Sequence, residues 1–169
     1  MTPVAEDFTR FFVCWEPQVR RYLIWLEGDS SVIDDAAQET MVSAYRYWKK
    51  VSELEQPRGW LFKVAGQRLA DAQQAREKLG VSTDPSALSG SAEPRGNDEF
   101  SVRDDRLAIL DAVRKLPSQQ ATAIALQCQY DLPLNEIADI MGISTGSVKT
   151  HLHHARKSLQ LLLDAGGDL

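Results

Sequence analysis

The sequence predicts an all-α protein, two small helical domains joined by a flexible linker, the C-terminal one containing a helix-turn-helix. Three observations carry this. Apolar residues recur at three- and four-residue steps in both halves of the chain, and no strand-like alternation competes. Between the halves, from about Val81 to Glu99, the composition turns to Ser, Pro, Gly and Asn with few apolar residues, the mark of a flexible linker. Near the C-terminus a short apolar segment, a glycine and a polar-faced helix follow one another at helix-turn-helix spacing.

The elements follow in order. From about Glu6, Phe8, Phe12, Trp15, Val19, Tyr22, Leu23 and Leu26 form one helical stripe, broken by Gly28 and Asp29. Asp29 or Ser30 is placed to cap the next helix, whose stripe reads Ile33, Ala37, Thr40, Met41, Ala44, Tyr47 and Trp48. After a break at Ser52 to Pro57, Pro57 suits a first helical turn, and Trp60, Leu61, Val64 and Leu69 follow at helical spacing. The second half begins near Asp104 with Leu107, Leu110, Ala112, Val113 and Leu116, stopped by Pro117. Ser118 is placed to cap a helix holding Ala121, Ile124, Ala125 and Cys128. Leu134 to Met141 and a last helix from about Thr145 to Leu163 complete the chain, with a frayed tail from Asp164 to Leu169.

With 43% hydrophobic residues the chain can build cores, and wholesale disorder is excluded. No apolar run reaches bilayer length, so no membrane insertion is expected. The opening MTPVAEDFTRFF has neither a basic start nor an apolar stretch and does not read as a secretory signal. Cys14 and Cys128 lie far apart without metal or redox spacing, which reads as two buried thiols in a reducing cytoplasm. The net charge of −5 argues against a non-specific nucleic-acid coat, but its distribution is uneven. Ser144 to Gln160 holds Lys149, Arg156, Lys157 and three histidines with no acid, while Ile33 to Thr40 holds Asp34, Asp35 and Glu39 with no base. Such a chain suits DNA at one end and a different partner at the other.

Asn135 to Leu152 carries the sharpest signal. Ile137, Ala138 and Met141 face inward, Gly142 supplies a left-handed turn, and Ile143 fills the gap between helices. Ser144 or Thr145 caps the second helix, and Val148 and Leu152 bury its inner face. Its outer face presents Thr145, Ser147, Lys149, Thr150, His151, His153, His154, Arg156 and Lys157, groups that suit phosphate oxygens and base edges in a major groove. The bland alternative is a helical hairpin with a solvated polar face. A metal site would need a carboxylate or thiol set that the histidines lack, so no metal and no cofactor is implied. Nor does a Gly-rich phosphate loop or nucleophile elbow support an enzyme. Val148-Lys149-Thr150-His151-Leu152 also fits the recognition helix of two-component and quorum-type regulators, but those carry an α/β domain upstream, whereas this upstream half reads as helical.

The flanks narrow the choice. Leu110-Asp111-Ala112-Val113-Arg114-Lys115-Leu116-Pro117, the helix-turn-helix, and His154-Ala155-Arg156-Lys157-Ser158-Leu159 together resemble region 4 of the extracytoplasmic-function (ECF) RNA polymerase sigma factors, sigma-70 family group 4. That family's pattern runs "LP…EIA…G.S.GTVK…ARK.L". Region 2 of the same family has an acidic "D.QE" segment, here Asp34-Asp35-Ala36-Ala37-Gln38-Glu39-Thr40, and a "WL…A…..D" segment, here Trp60-Leu61 through Ala65 to Asp71. The resemblance implies region 2 over residues 1–78, a linker over 79–103 and region 4 over 104–169. It implies a non-enzymatic factor that binds core RNA polymerase and directs promoter-specific initiation, region 2 opening the −10 element and region 4 reading the −35 element. Implied partners are promoter DNA, the clamp helices of the largest polymerase subunit, the flap of the second-largest, and an anti-sigma factor. Asp34, Asp35, Gln38, Glu39 and Thr40 are the polymerase-binding residues so implied, and Trp60, Lys63, Gln67, Arg68 and Arg76 the −10 residues, with Trp48, Lys49 and Lys50 nearby. The chain departs from the pattern at Gln67, where an asparagine is common, at Gln74, and at Gln120, where relatives often carry arginine. These departures leave polymerase binding intact and imply weaker or unusual melting selectivity.

Overall fold

The computed structural model describes residues 3–80 and 100–167; most of the predicted linker and the last two residues lie outside that range. The described residues form helices only: α1 (Pro3–Leu26), α2 (Ser30–Arg46), α3 (Trp48–Val51), α4 (Arg58–Lys78), α5 (Phe100–Arg114), α6 (Ser118–Tyr130), α7 (Leu134–Met141) and α8 (Thr145–Gly167). The chain divides into two compact units, one built on α1 to Leu23 with α2, α3 and α4, the other on α5 to α8.

In the N-terminal unit α2 and α4 make the main packing pair. Small side chains let them approach: Ala36, Ala37 and Ala44 of α2 and Ala65 of α4 are fully buried. Ile33, Met41, Leu61, Phe62 and Leu69 fill the space between, and Val19, Tyr22 and Leu23 close it from α1. Burying each large side chain contributes about 1.5–3 kcal/mol. The Tyr22 and Phe62 rings pack at 4.9 Å. Thr40 is buried too, its hydroxyl donating to the Ala36 carbonyl at 2.7 Å. The predicted stripe of α2 fails at its end. The helix breaks at Tyr47 (φ −103°, ψ 26°), which throws Tyr47 outward and sends Trp48 to α1, against Phe8 at 5.3 Å and Phe11 at 5.1 Å.

Asp29 caps α2 as expected, accepting the Ser31 amide at 3.0 Å, and its other oxygen pairs with Arg76 of α4 at 3.0 Å. Partial burial pushes its carboxyl up, but the Ser31 hydrogen bonds and the Arg76 charge outweigh this and hold it below its ordinary value. Asp29→Ala therefore loses a cap worth about 1 kcal/mol, and thermal melting should fall by about 4–8 °C per kcal/mol. A depressed folded pKa gives stability that is present above the unfolded value, about 3.9, and lost as pH falls through the folded one. The gap between wild type and variant in urea melts should accordingly shrink below pH 4 and be full at neutral pH.

In the C-terminal unit α8 packs against α5, α6 and α7. Val113, Ala123, Ala125, Leu126, Ile137, Val148 and Ala155 have no exposed surface. Several sequence expectations shift. Ser118 is the first residue of α6 and Pro117 holds the cap position without a side-chain bond. Asp164 to Gly167, expected to fray, continue α8. Cys14 and Cys128 are exposed rather than buried, because neither falls where a facing helix covers the α1 or α6 surface.

Candidate functional sites

The C-terminal site is built by a tight turn. Gly142 adopts φ +67°, a conformation costly for a residue with a side chain, and its amide and that of Ile143 both fold back to the Ala138 carbonyl. Ser144 then caps α8, its hydroxyl accepting the Ser147 amide at 3.1 Å and bonding the Ser147 hydroxyl at 3.0 Å. With Val148, Leu152 and Ala155 fixed inward, the helical period turns Lys149, Thr150, His153, His154 and Lys157 outward, all exposed. Thr145 is exposed at the helix start. The His153 and His154 rings stand edge to face at 5.8 Å.

Three predicted residues are less free than the sequence suggests. Ser147 is engaged in the cap, His151 is half-buried on the flank of the inner face, and Arg156 donates to Gln127 of α6. No acidic side chain interrupts this face of α8, so its field attracts phosphate. Gln120 is half-buried, with its Oε1 buried and lacking a hydrogen-bond partner.

The N-terminal site splits into two surfaces. On α2, Asp35, Gln38 and Glu39 are exposed and line a groove of about 510 Å³ whose opposite wall is α4, through Arg68, Asp71 and Arg76. Asp34 turns the other way and pairs with Arg20, which also holds Glu16 at 2.9 Å. The buried Thr40 belongs to neither surface, so it leaves the predicted contact set: its hydroxyl serves its own helix.

On α4, the exposed Lys63 and Gln67 share a stripe with Trp60. Arg68 and Arg76, predicted to stand with them, do not. Arg68 donates to the Ser43 hydroxyl at 3.3 Å and pairs with Asp71 at 3.2 Å, and Arg76 pairs with Asp29 and Ser31. Both point into the acidic groove because their positions fall on the α2-facing flank of α4. Sequence reasoning missed Tyr47, whose ring meets Trp60 edge-on with centroids 6.4 Å apart. Its signal was the break in α2, which periodicity alone reads through.

No helix among the described residues is long and apolar enough to cross a membrane, and no group of three or more His, Cys, Asp or Glu there is placed to hold a metal ion.

Comparison with known proteins agrees with this division. Residues 11–78 match the family model for sigma-70 region 2, and residues 106–159 the model for sigma-70 region 4. The ECF RNA polymerase sigma factor SigL of Mycobacterium tuberculosis is 33% identical over 150 residues, 87% of this chain and 83% of that protein. RNA polymerase sigma factor SigV of Bacillus subtilis is 30% identical over 129 residues, 76% of this chain and 74% of that protein. Among solved structures, the sigma factor RpoE of Bartonella quintana, crystallised with the anti-sigma factor NepR, superposes with a TM-score of 0.76 at 22% identity, covering 94% of this chain and 98% of that one. Two sigma-specific segments, in order, with a relative sharing a third of its residues over most of both chains, place the protein: it belongs to the ECF sigma factors of the sigma-70 family.

Proposed function

We infer that this chain joins core RNA polymerase in the cytoplasm and directs promoter-specific initiation, its N-terminal unit docking on the polymerase and opening the −10 element while α8 reads the −35 element. The observation that carries the reading is the polarity of the two units. One presents an exposed basic and hydroxyl-bearing helix set on a helix-turn-helix. The other presents the exposed carboxylates Asp35 and Glu39 on the α2 wall of a groove and, on a separate stripe, Trp60 with Lys63 and Gln67. Asp35 and Glu39 lie one helical turn apart and match basic groups on a partner helix, the clamp helices of the largest subunit. Lys149, Thr150, His153, His154 and Lys157 supply phosphate and base-edge contacts, with Thr145 at the helix N-terminus. The polymerase flap is the second docking surface of the C-terminal unit.

Arg68 and Arg76 act in this reading as walls of the polymerase groove, and Trp60, Lys63 and Gln67 carry the promoter-opening contacts. An anti-sigma factor holds the protein inactive until a signal removes it, in keeping with the structural neighbour crystallised with one.

Run-off transcription from fragmented genomic DNA, by core polymerase with and without the protein, tests the reading. New 5′ ends sharing two spaced upstream elements are the expected result. No new ends from polymerase that is otherwise active would refute unaided initiation.

A further inference from the structure

We propose that His153 and His154 meet the upstream promoter element in their charged form, so that the chain's grip on that element tightens as the pH falls from about 8 to about 6. The proposal rests on the reading of α8 as the helix that meets this element, and it makes that contact proton-linked.

The two histidines stand on the outward face of α8. With Val148, Leu152 and Ala155 buried, His153 and His154 are both exposed, their rings edge to face at 5.8 Å. Lys149 lies about one turn before His153 and Lys157 about one turn after it, so the imidazoles sit within a row of ammonium groups. No acid occurs from Ser144 to Gln160, so on this stretch of α8 no carboxylate offsets a proton taken up there. His151 is half-buried on the flank and stands outside the pair.

The helix packs against α5, α6 and α7. Of the charged groups there, α7 carries Glu136 and Asp139, and α5 carries Asp104, Asp105 and Asp111 with Arg106 and Arg114. On α6 there is no acid or base besides Tyr130 and the Cys128 thiol, which burial pushes up. Among these side-chain types only imidazole ordinarily changes charge between about pH 5 and 8. A phosphate set against the outward face favours the charged imidazole, as an opposite charge nearby does in general. Binding then takes up protons. A group more readily charged in the complex than in the free chain adds affinity as the pH falls, and adds none where it is neutral in both states. The lysines give this face a constant attraction for phosphate and the histidines a variable one.

The test uses the holoenzyme and a short duplex carrying only the upstream element recovered by run-off mapping, with affinity measured by anisotropy at pH 6 and pH 8 over a series of salt concentrations. Wild type should bind at least about tenfold more tightly at pH 6, with a salt slope steeper by about one to two. His153→Gln combined with His154→Gln keeps polar, hydrogen-bonding side chains at exposed positions and removes the titration. It should bind within about twofold equally at the two pH values and lose the change in salt slope. Lys157→Gln should weaken binding at both pH values and keep the wild-type ratio between them. Assembly of each variant with core polymerase should match wild type at both pH values. An unchanged wild-type affinity between pH 6 and 8 would overturn the proposal, as would a double variant that keeps the wild-type ratio. If wild-type holoenzyme ignored the duplex at every pH, the reading of α8 would fail first and take the proton linkage with it.

Discussion

Reversing Asp35 and Glu39 together to arginine is expected to weaken assembly with core RNA polymerase by at least about a hundredfold, since a close interfacial charge pair is worth about 2–5 kcal/mol when one partner is removed and reversal adds repulsion. Both side chains are exposed on a helix whose other face is locked by Ile33, Ala36, Ala37 and Met41. The substitutions should therefore leave the melting free energy within about 0.5 kcal/mol of wild type. Asp34→Arg is the internal control. Asp34 pairs with Arg20 on the α1 side, so its reversal should cost stability by about 1 kcal/mol or less and affect assembly far less. Titrating labelled protein with core polymerase and following anisotropy separates the two variants. Equal affinities for all three proteins would mean that the acidic groove does not meet the polymerase.

The second large effect lies at the centre of the other unit. Val148 is wholly buried one turn into α8, where it meets the inner side of the helix-turn-helix. Val148→Asp places a carboxylate there without a partner, at a cost of several kcal/mol. That is comparable with the whole stability of a unit this size, about 0.05–0.15 kcal/mol per residue. The C-terminal unit should unfold and binding to the upstream element disappear, while the N-terminal unit keeps its fold and its polymerase affinity. Hydrogen exchange gives the readout: protection lost across α5 to α8 and kept in α2 and α4. Loss of protection in both units would show that they fold as one cooperative block, against the division described above.

The helix-turn-helix was legible in the sequence almost residue by residue, because its constraints are local. The left-handed turn needs Gly142, the cap needs Ser144, and the inner face needs apolar groups at Val148 and Leu152. The N-terminal surfaces were less legible, because they depend on which flank of a helix meets its neighbour. Arg68 and Arg76 are about two and four helical turns from Trp60, yet they face α2 and are engaged by Asp71, Asp29 and Ser31. Thr40 sits among exposed acids in sequence and inside the core in space, since its hydroxyl is satisfied by its own helix. Tyr47 and Trp48, expected on one stripe, part at a single non-helical residue, Tyr47 turning outward and Trp48 to α1, a change that a 3.6-residue period does not register. The thiols were misjudged for a related reason: cysteine's general preference for burial says nothing about whether a facing helix reaches that position.

Site-specific photocrosslinking in the open complex tests whether one chain touches two separated promoter elements through its two units. A crosslinker in place of Lys63 should mark the start-proximal element, and one in place of His153 the distal element, each only when core polymerase is present to hold the chain on DNA. Crosslinks from both positions to the same element, or from His153 alone with DNA and no dependence on polymerase, would instead describe a conventional DNA-binding regulator.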